Sequence, residues 1–378
     1  MGFARGTLTK LFVSLAIVTL SVLPLAADEP RDITSKLERI RARFEVPGLA
    51  AAAVSEGEIV AIGATGSRCV GGPDLVMLED QWHVGSCTKS MTASVAAMLV
   101  EEKYFTWETT IAEIFPEWLP VMHEDWREVT LEQLLLHRAG APHEPPKELW
   151  KQAQERKGTP TAQRLAFIKG ILAHEPEDTP GSRWIYSDAG YAIAGAMMER
   201  VASDSWENLL RKRLFEPLGL KSAGFGEPAA PGEVNHPWGH RGQEPPFKPI
   251  PPGPGADNPP AIGPAATVHM SIRDFARYAA WHVAGDRGGE SKLLTDESFQ
   301  KLHSAPAGAH RYAMGWVPMK RKWAGGTALM HNGENEMFYA IMWLGPAQDT
   351  CFVATCNCDG PLAEEACDDA IAMLINNF

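Results

Sequence analysis

Basic residues are scarce in this chain. Lys and Arg number 35 against 47 Asp and Glu in 378 residues, a formal net charge of −12, and that balance lacks the phosphate-neutralising surface that nucleic-acid binding requires. No biased tract dominates, with 45% of residues hydrophobic and 22% charged. This excludes a disordered, collagen-like or multi-span membrane chain and leaves a globular protein with a sizeable core. Two catalytic signatures are also missing. There is no Gly-x-Ser-x-Gly, the nucleophile turn of an α/β-hydrolase, and no His-Glu-x-x-His, the zinc-protease helix. Cysteine is sparse (Cys69, Cys87, Cys351, Cys356, Cys358 and Cys367) and finger-type spacing with further His or Cys is lacking, so no metal or other cofactor is implied.

One long uncharged run does occur. Arg5 and Lys10 precede residues 11–27, and Asp28-Glu29-Pro30 follow at once, the layout of a secretory signal peptide over residues 1–27. The run is barely long enough for a bilayer span at ~1.5 Å per residue, and Pro24 breaks it near its end. Cleavage near Ala27 is therefore expected, with membrane association only through a retained signal, and the mature acidic chain is expected to be exported to the periplasm or beyond. Export permits disulfides. If residues 350–358 form a strand, Cys356 and Cys358 share a face and Cys351 points the other way. Cys358 with Cys367 is then the best candidate pair among cysteines otherwise expected as small buried hydrophobes.

Residues 28–378 read as one domain. Ile33, Leu37, Ile40 and Phe44 recur at spacings of 4, 3 and 4 and predict a helix that ends before Pro47-Gly48. Residues 49–55 and 59–64 flank Glu56-Gly57-Glu58 as a hairpin. The middle is mainly helical, with starts marked by Thr130 with Gln133, Asp204 with Glu207 and Ser271 with Asp274. Strands return over 311–318, 327–331, 337–344 and 350–356, and 361–377 predicts a closing helix. Strands at both ends imply an α+β fold. One mostly antiparallel sheet is drawn from both termini and flanked by helices, and a helical subdomain is inserted roughly over 105–310. Twelve of the 29 prolines fall between Pro228 and Pro264, which predicts an extended loop rather than helix or central strand. Trp238 and Phe247 give that loop groups to pack with, so it is a candidate cover for a cleft.

Three short elements carry chemistry. Ser86-Cys87-Thr88-Lys89 opens a small-residue apolar helix, so Lys89, three residues on, can bring its ammonium to the Ser86 hydroxyl at a turn whose free N–H groups favour negative charge. Ser298-Phe299-Gln300-Lys301 has the same spacing but lies in a short polar stretch without a preceding glycine. Tyr186-Ser187-Asp188 is the second element, and Tyr186 is the one tyrosine of six with Asx two residues later. The third is His331-Asn332-Gly333-Glu334, beside a predicted strand edge. His240-Arg241-Gly242 has the same His-x-Gly form but falls in the proline-rich loop. His236 and His240 sit four apart, yet Pro237 and Gly239 exclude the helix that would make them a metal pair.

Taken in order, these elements resemble the serine β-lactamase and penicillin-binding protein superfamily, especially its class C-like, esterase-like branch. Residues 130–137 before Gly140, Pro180-Gly181 before the tyrosine motif, residues 214–220 and Asn357-Cys358-Asp359-Gly360 add to the likeness. The resemblance implies a catalytic set of Ser86, Lys89 and Tyr186. Ser86 attacks the ester, amide or lactam carbonyl of a small molecule or peptide and forms an acyl-enzyme, while Lys89 and Tyr186 share the proton work. Backbone N–H groups of Ser86 and Glu334 hold the oxyanion beside Gly333, and His331 occupies a place often held by lysine. Asp188 stands where relatives usually carry Asn. A carboxylate there only accepts hydrogen bonds and keeps Lys89 protonated, which shifts base duty toward Tyr186. Glu334 and Glu336 would repel anionic substrates. An esterase or D-amino-acid peptide hydrolase is thus favoured over an efficient β-lactamase, and the alternative is a non-catalytic penicillin-binding or scaffold protein on the same fold.

Overall fold

The computed structural model describes residues 1–4, 29–288, 293–306 and 311–378; the expected signal peptide lies mostly outside them. The strand Gly48–Ser55 is rich in alanine because both of its faces are covered. Leu49, Ala51 and Ala53 enter one apolar layer and Ala50, Ala52 and Val54 the opposite one, the two-residue period of a pleated strand. Around it the sheet has seven strands, in the spatial order Arg31–Asp32, Glu58–Gly66, Gly48–Ser55, Thr350–Cys356, Tyr339–Gly345, Gly326–Glu334, Val317–Arg321. Every neighbouring pair is antiparallel except Arg31–Asp32 with Glu58–Gly66. Helices Thr34–Phe44 and Pro361–Ile375 cover one face and Ile272–Asp286 the other. The α+β architecture built from both termini is therefore the one observed.

Four local expectations need correction. The strand expected from residue 311 begins at Val317, because Gly315 turns there at φ +81° and passes so close to the next layer that a Cβ would stand 2.4 Å from the Ser90 Cα. Ser205, not Asp204, caps the helix Trp206–Leu210, accepting the Asn208 N–H at 3.2 Å, while Asp204 binds the Ser205 N–H. The proline-rich stretch is extended but contains a hairpin, Gly239–Arg241 with Lys248–Ile250, and its last prolines sit in helical turns at Pro260–Ile262 and Gly263–Ala266. Proline is tolerated in a first turn, where its missing N–H would have no partner. Finally, Cys358 is not bridged to Cys367; its Sγ lies 3.4 Å from that of Cys356, and all six thiols are free. Cys356, Cys358 and Cys367 do share one layer and Cys351 the other.

Candidate active site

The helix Thr88–Glu101 is buried on every side through Leu99. Its small residues allow that close packing, and its hydroxyls are satisfied internally: Ser90 Oγ donates to the Cys87 carbonyl, Ser94 Oγ to that of Ser90 and Thr92 Oγ1 to that of Pro264. A short 3-10 turn, Gly85–Cys87, leads into this helix. Two glycines let the turn meet the sheet edge. A Cβ on Gly85 would stand 2.3 Å from the Glu334 nitrogen, and one on Gly333 would stand 2.4 Å from the Ser86 nitrogen. Only hydrogens at these positions leave room, so the backbone nitrogens of Ser86 and Glu334 are brought to one place.

The side chains converge from three distant segments. Lys89 is fully buried and donates to Ser86 Oγ at 2.9 Å, to Asp188 Oδ1 at 2.7 Å and to the Ala265 carbonyl at 3.2 Å. Its nitrogen also lies 4.6 Å from the centre of the Tyr186 ring. Burial works against the ammonium, but the Asp188 carboxylate and Tyr186 outweigh it, so the Lys89 pKa is raised. Burial likewise raises the Tyr186 phenol, opposed by the Lys89 charge and by hydrogen bonds from Lys89 and Ser86. Ser187 fixes Tyr186 and Asp188 at a helix start, taking the Gly190 N–H at 3.2 Å as the cap of Asp188–Ala202.

On the opposite wall His331 is buried and uncharged, its pKa pushed down to about 3 by burial and the Lys89 charge. Its Nδ1 faces the Asn332 carbonyl, which leaves Nε2 to accept the Tyr312 hydroxyl at 3.1 Å. Glu334 has a carboxyl pushed up to about 8, chiefly by its hydrogen bond with Asp359 and also by burial. The cavity these groups line is about 310 Å³, bounded by Ser86, Trp184, Tyr186, Tyr312, His331 and Glu334. Of the seven residues singled out from the sequence, Ser86, Tyr186, His331, Gly333 and Glu334 line this cavity, and Lys89, buried, joins Ser86 to Asp188, which borders a second cavity.

The lookalike motifs do not. Ser298 Oγ donates to Glu101 and Lys301 Nζ pairs with Glu132. His240 is locked between the Asn357 carbonyl at 2.8 Å and the Val70 N–H at 3.0 Å. Sequence reasoning missed His137. Its carbonyl accepts the Ile185 N–H at 2.9 Å and its Nδ1 the Ser187 N–H at 3.1 Å, so it grips the backbone on both sides of Tyr186, with the two rings 4.4 Å apart. The run before Gly140 was its one visible signal. Tyr312, which belongs to no local pattern, was missed too, and Asp359 was seen only as part of Asn357-Cys358-Asp359-Gly360, with no role at the site.

A profile of the Beta-lactamase family matches residues 34–376. The chain belongs to the Beta-lactamase family. It is 28% identical over 300 residues to penicillin-binding protein 4 of Amycolatopsis lactamdurans, across 78% of this chain and 74% of that one. It is 22% identical over 342 residues to an unguisins hydrolase of Aspergillus campestris, across 86% of this chain and 61% of that protein. In structure it is similar to a D-stereospecific amidohydrolase from Streptomyces sp., with TM-score 0.70, 20% identity, 89% of this chain and 97% of that one. This Beta-lactamase family chain thus shares its fold with penicillin-binding-protein-like structures and has relatives named as hydrolases.

Proposed function

We propose that this protein is a serine hydrolase that works through an acyl-enzyme on Ser86. The observation that carries the reading is the buried ammonium of Lys89, 2.9 Å from a half-buried Ser86 hydroxyl that opens on a cavity. An ammonium costs too much to bury without a role or a partner. Ser86 Oγ attacks the carbonyl carbon, and its proton passes to a Tyr186 phenolate while Lys89 keeps its own proton and stabilises the charge on Oγ. The carbonyl electron pair moves to oxygen, where the Ser86 and Glu334 N–H groups receive it. Collapse expels the leaving group, which takes the proton back from Tyr186. The phenolate then activates water, which releases the acyl group. An unshifted phenol near pKa 10 makes the phenolate at pH 7 cost about 4 kcal/mol, and the raised Tyr186 adds to that. Modest turnover follows from this cost.

The carboxylates of Asp188 and Glu336, which border one cavity, support neutral or cationic esters and amides, including D-amino-acid peptides, over anionic lactams. Residues 1–27 support export. A second reading, a scaffold that does no chemistry, is favoured by one observation: Lys89 and Tyr186 are both held toward their protonated forms. Intact-mass labelling with a fluorophosphonate and, separately, a penicillin separates the readings. The hydrolase takes up the fluorophosphonate, and Ser86→Ala abolishes the adduct. Absence of any adduct from the native protein selects the scaffold.

A further inference from the structure

We propose that the substrate carries a primary ammonium one carbon from the scissile carbonyl, and that the free oxygen of Asp188 recognises it. The inference rests on the acyl-enzyme reading and names the substrate class of that same site.

Asp188 is tied to the nucleophile through one residue: its Oδ1 holds Lys89 Nζ at 2.7 Å, and Nζ holds Ser86 Oγ at 2.9 Å. Among the described residues, Lys89 is the one side chain hydrogen-bonded or ion-paired to Asp188. A carboxylate has lone pairs on both oxygens, so acceptor capacity is left over. That capacity faces outward, because the side chain is 39% exposed and lines a cavity of about 550 Å³ with Trp150, Phe167, Ile262 and Glu336. A group placed there next to a carbonyl at Ser86 meets an acceptor that has no proton to give. It must therefore be a donor, and a charged donor gains most.

The surrounding charges agree with a cation. Lys89 donates to Asp188, Ser86 and the Ala265 carbonyl and is fully buried. Glu336 borders the same cavity but is exposed and paired with Arg241, so the buried ion pair of Asp188 with Lys89, not the rim, sets the sign. Lys147 and Lys151 also border the cavity, but both are exposed, where water and salt screen them.

The test compares glycine methyl ester with N-acetylglycine methyl ester at pH 6.5, where an α-amino group is protonated. Acid release is followed in a pH-stat with Ser86→Ala as the blank. The native protein should show a kcat/KM at least roughly tenfold higher for the free-amine ester, the size of one hydrogen bond to a charged group. Asp188→Asn should bring the ratio to one or below, with a native-like circular dichroism spectrum and cooperative thermal transition certifying that the variant is folded; should it fail to fold, the native ratio decides. Equal or reversed rates in the native protein overturn the inference, as does a ratio that survives in Asp188→Asn. A protein that takes the fluorophosphonate at Ser86 yet turns over neither ester also overturns it and leaves the hydrolase reading standing. Loss of labelling itself removes both.

Discussion

Two serines in this chain are followed three residues later by lysine, and the structure treats them in opposite ways. Ser86 sits on a 3-10 turn pressed against the sheet edge, and Lys89 is wholly buried with Asp188 as its counter-charge. Ser298 lies in the first turn of Asp296–His303, its N–H held by the Thr295 cap, and Lys301 is 37% exposed and paired with Glu132. The spacing is identical and the environments are not. What separates them is desolvation: the second lysine keeps its water, whereas the first has exchanged water for a carboxylate, a hydroxyl and a carbonyl. A four-residue pattern becomes a chemical device only where the fold removes solvent from it.

Replacing each lysine by methionine tests that difference most severely. Lys89→Met should slow acylation of Ser86 by roughly 10²–10⁴-fold, the usual size of a proton-transfer or charge-stabilising contribution. Stability should hold or rise, because methionine fills the site without a buried charge, and the partly exposed Asp188 can take up water. Lys301→Met should leave the rate unchanged. Burst-phase acylation with an activated ester, together with a thermal midpoint for each variant, reads both quantities. A Lys89→Met protein that acylates at the native rate would return the two motifs to equal standing.

The next largest effect concerns pH. Tyr186 must lose its proton to act, so acylation should climb as pH rises from 6. Glu334 must keep its proton beside the oxyanion nitrogens, and with a pKa of about 8 it ionises as pH passes that value, placing a negative charge where another develops. The rate should therefore turn over near pH 8, and Glu334→Gln should extend the climb. Stability moves in a related direction. The Glu334 pKa is raised above its unfolded value, so the native state binds the extra proton, and ΔG of unfolding falls as pH rises from about 4.5 to about 8. Glu334 is exposed toward the cleft, so solvent screening holds that fall to about 1 kcal/mol. An alkaline limb that persists unchanged in Glu334→Gln assigns it to another group.

Sequence made some of this arrangement legible and hid the rest for definite reasons. Residues that share a short element announce themselves: Lys89 is one turn from Ser86, and Ser187 caps the helix that Asp188 begins. The strands Gly48–Ser55 and Thr350–Cys356 showed in their composition, because central strands need small or branched residues throughout. The pairing of Glu334 with Asp359 links the end of one strand to a loop beyond the next two, so no local spacing encodes it. His137 is hidden differently. It adopts a left-handed backbone at φ 57° and holds the main chain beside Tyr186 with its carbonyl and its Nδ1, and neither the turn nor the distant partners are written in the local spacing. Cys358 and Cys367, the best candidate pair among thiols expected to be small buried hydrophobes, stay unbridged, and the pleat places the Cys358 thiol beside that of Cys356.

The smallest expected effect sits at the second serine. Ser298 Oγ donates to Glu101, which also accepts from the Thr295 N–H and hydroxyl. Ser298→Ala removes one of three donors to a carboxylate that remains within reach of water. The Thr295 cap, which holds the Ser298 N–H at 3.3 Å, is untouched. A loss of about 0.5 kcal/mol or less follows, with hydrolysis at the native rate. The measurement is a urea midpoint alongside fluorophosphonate labelling. A drop in labelling would mean that this polar turn, far from the Ser86 cleft in partners and in burial, is coupled to it, and the contrast in solvent exposure would no longer account for which serine reacts.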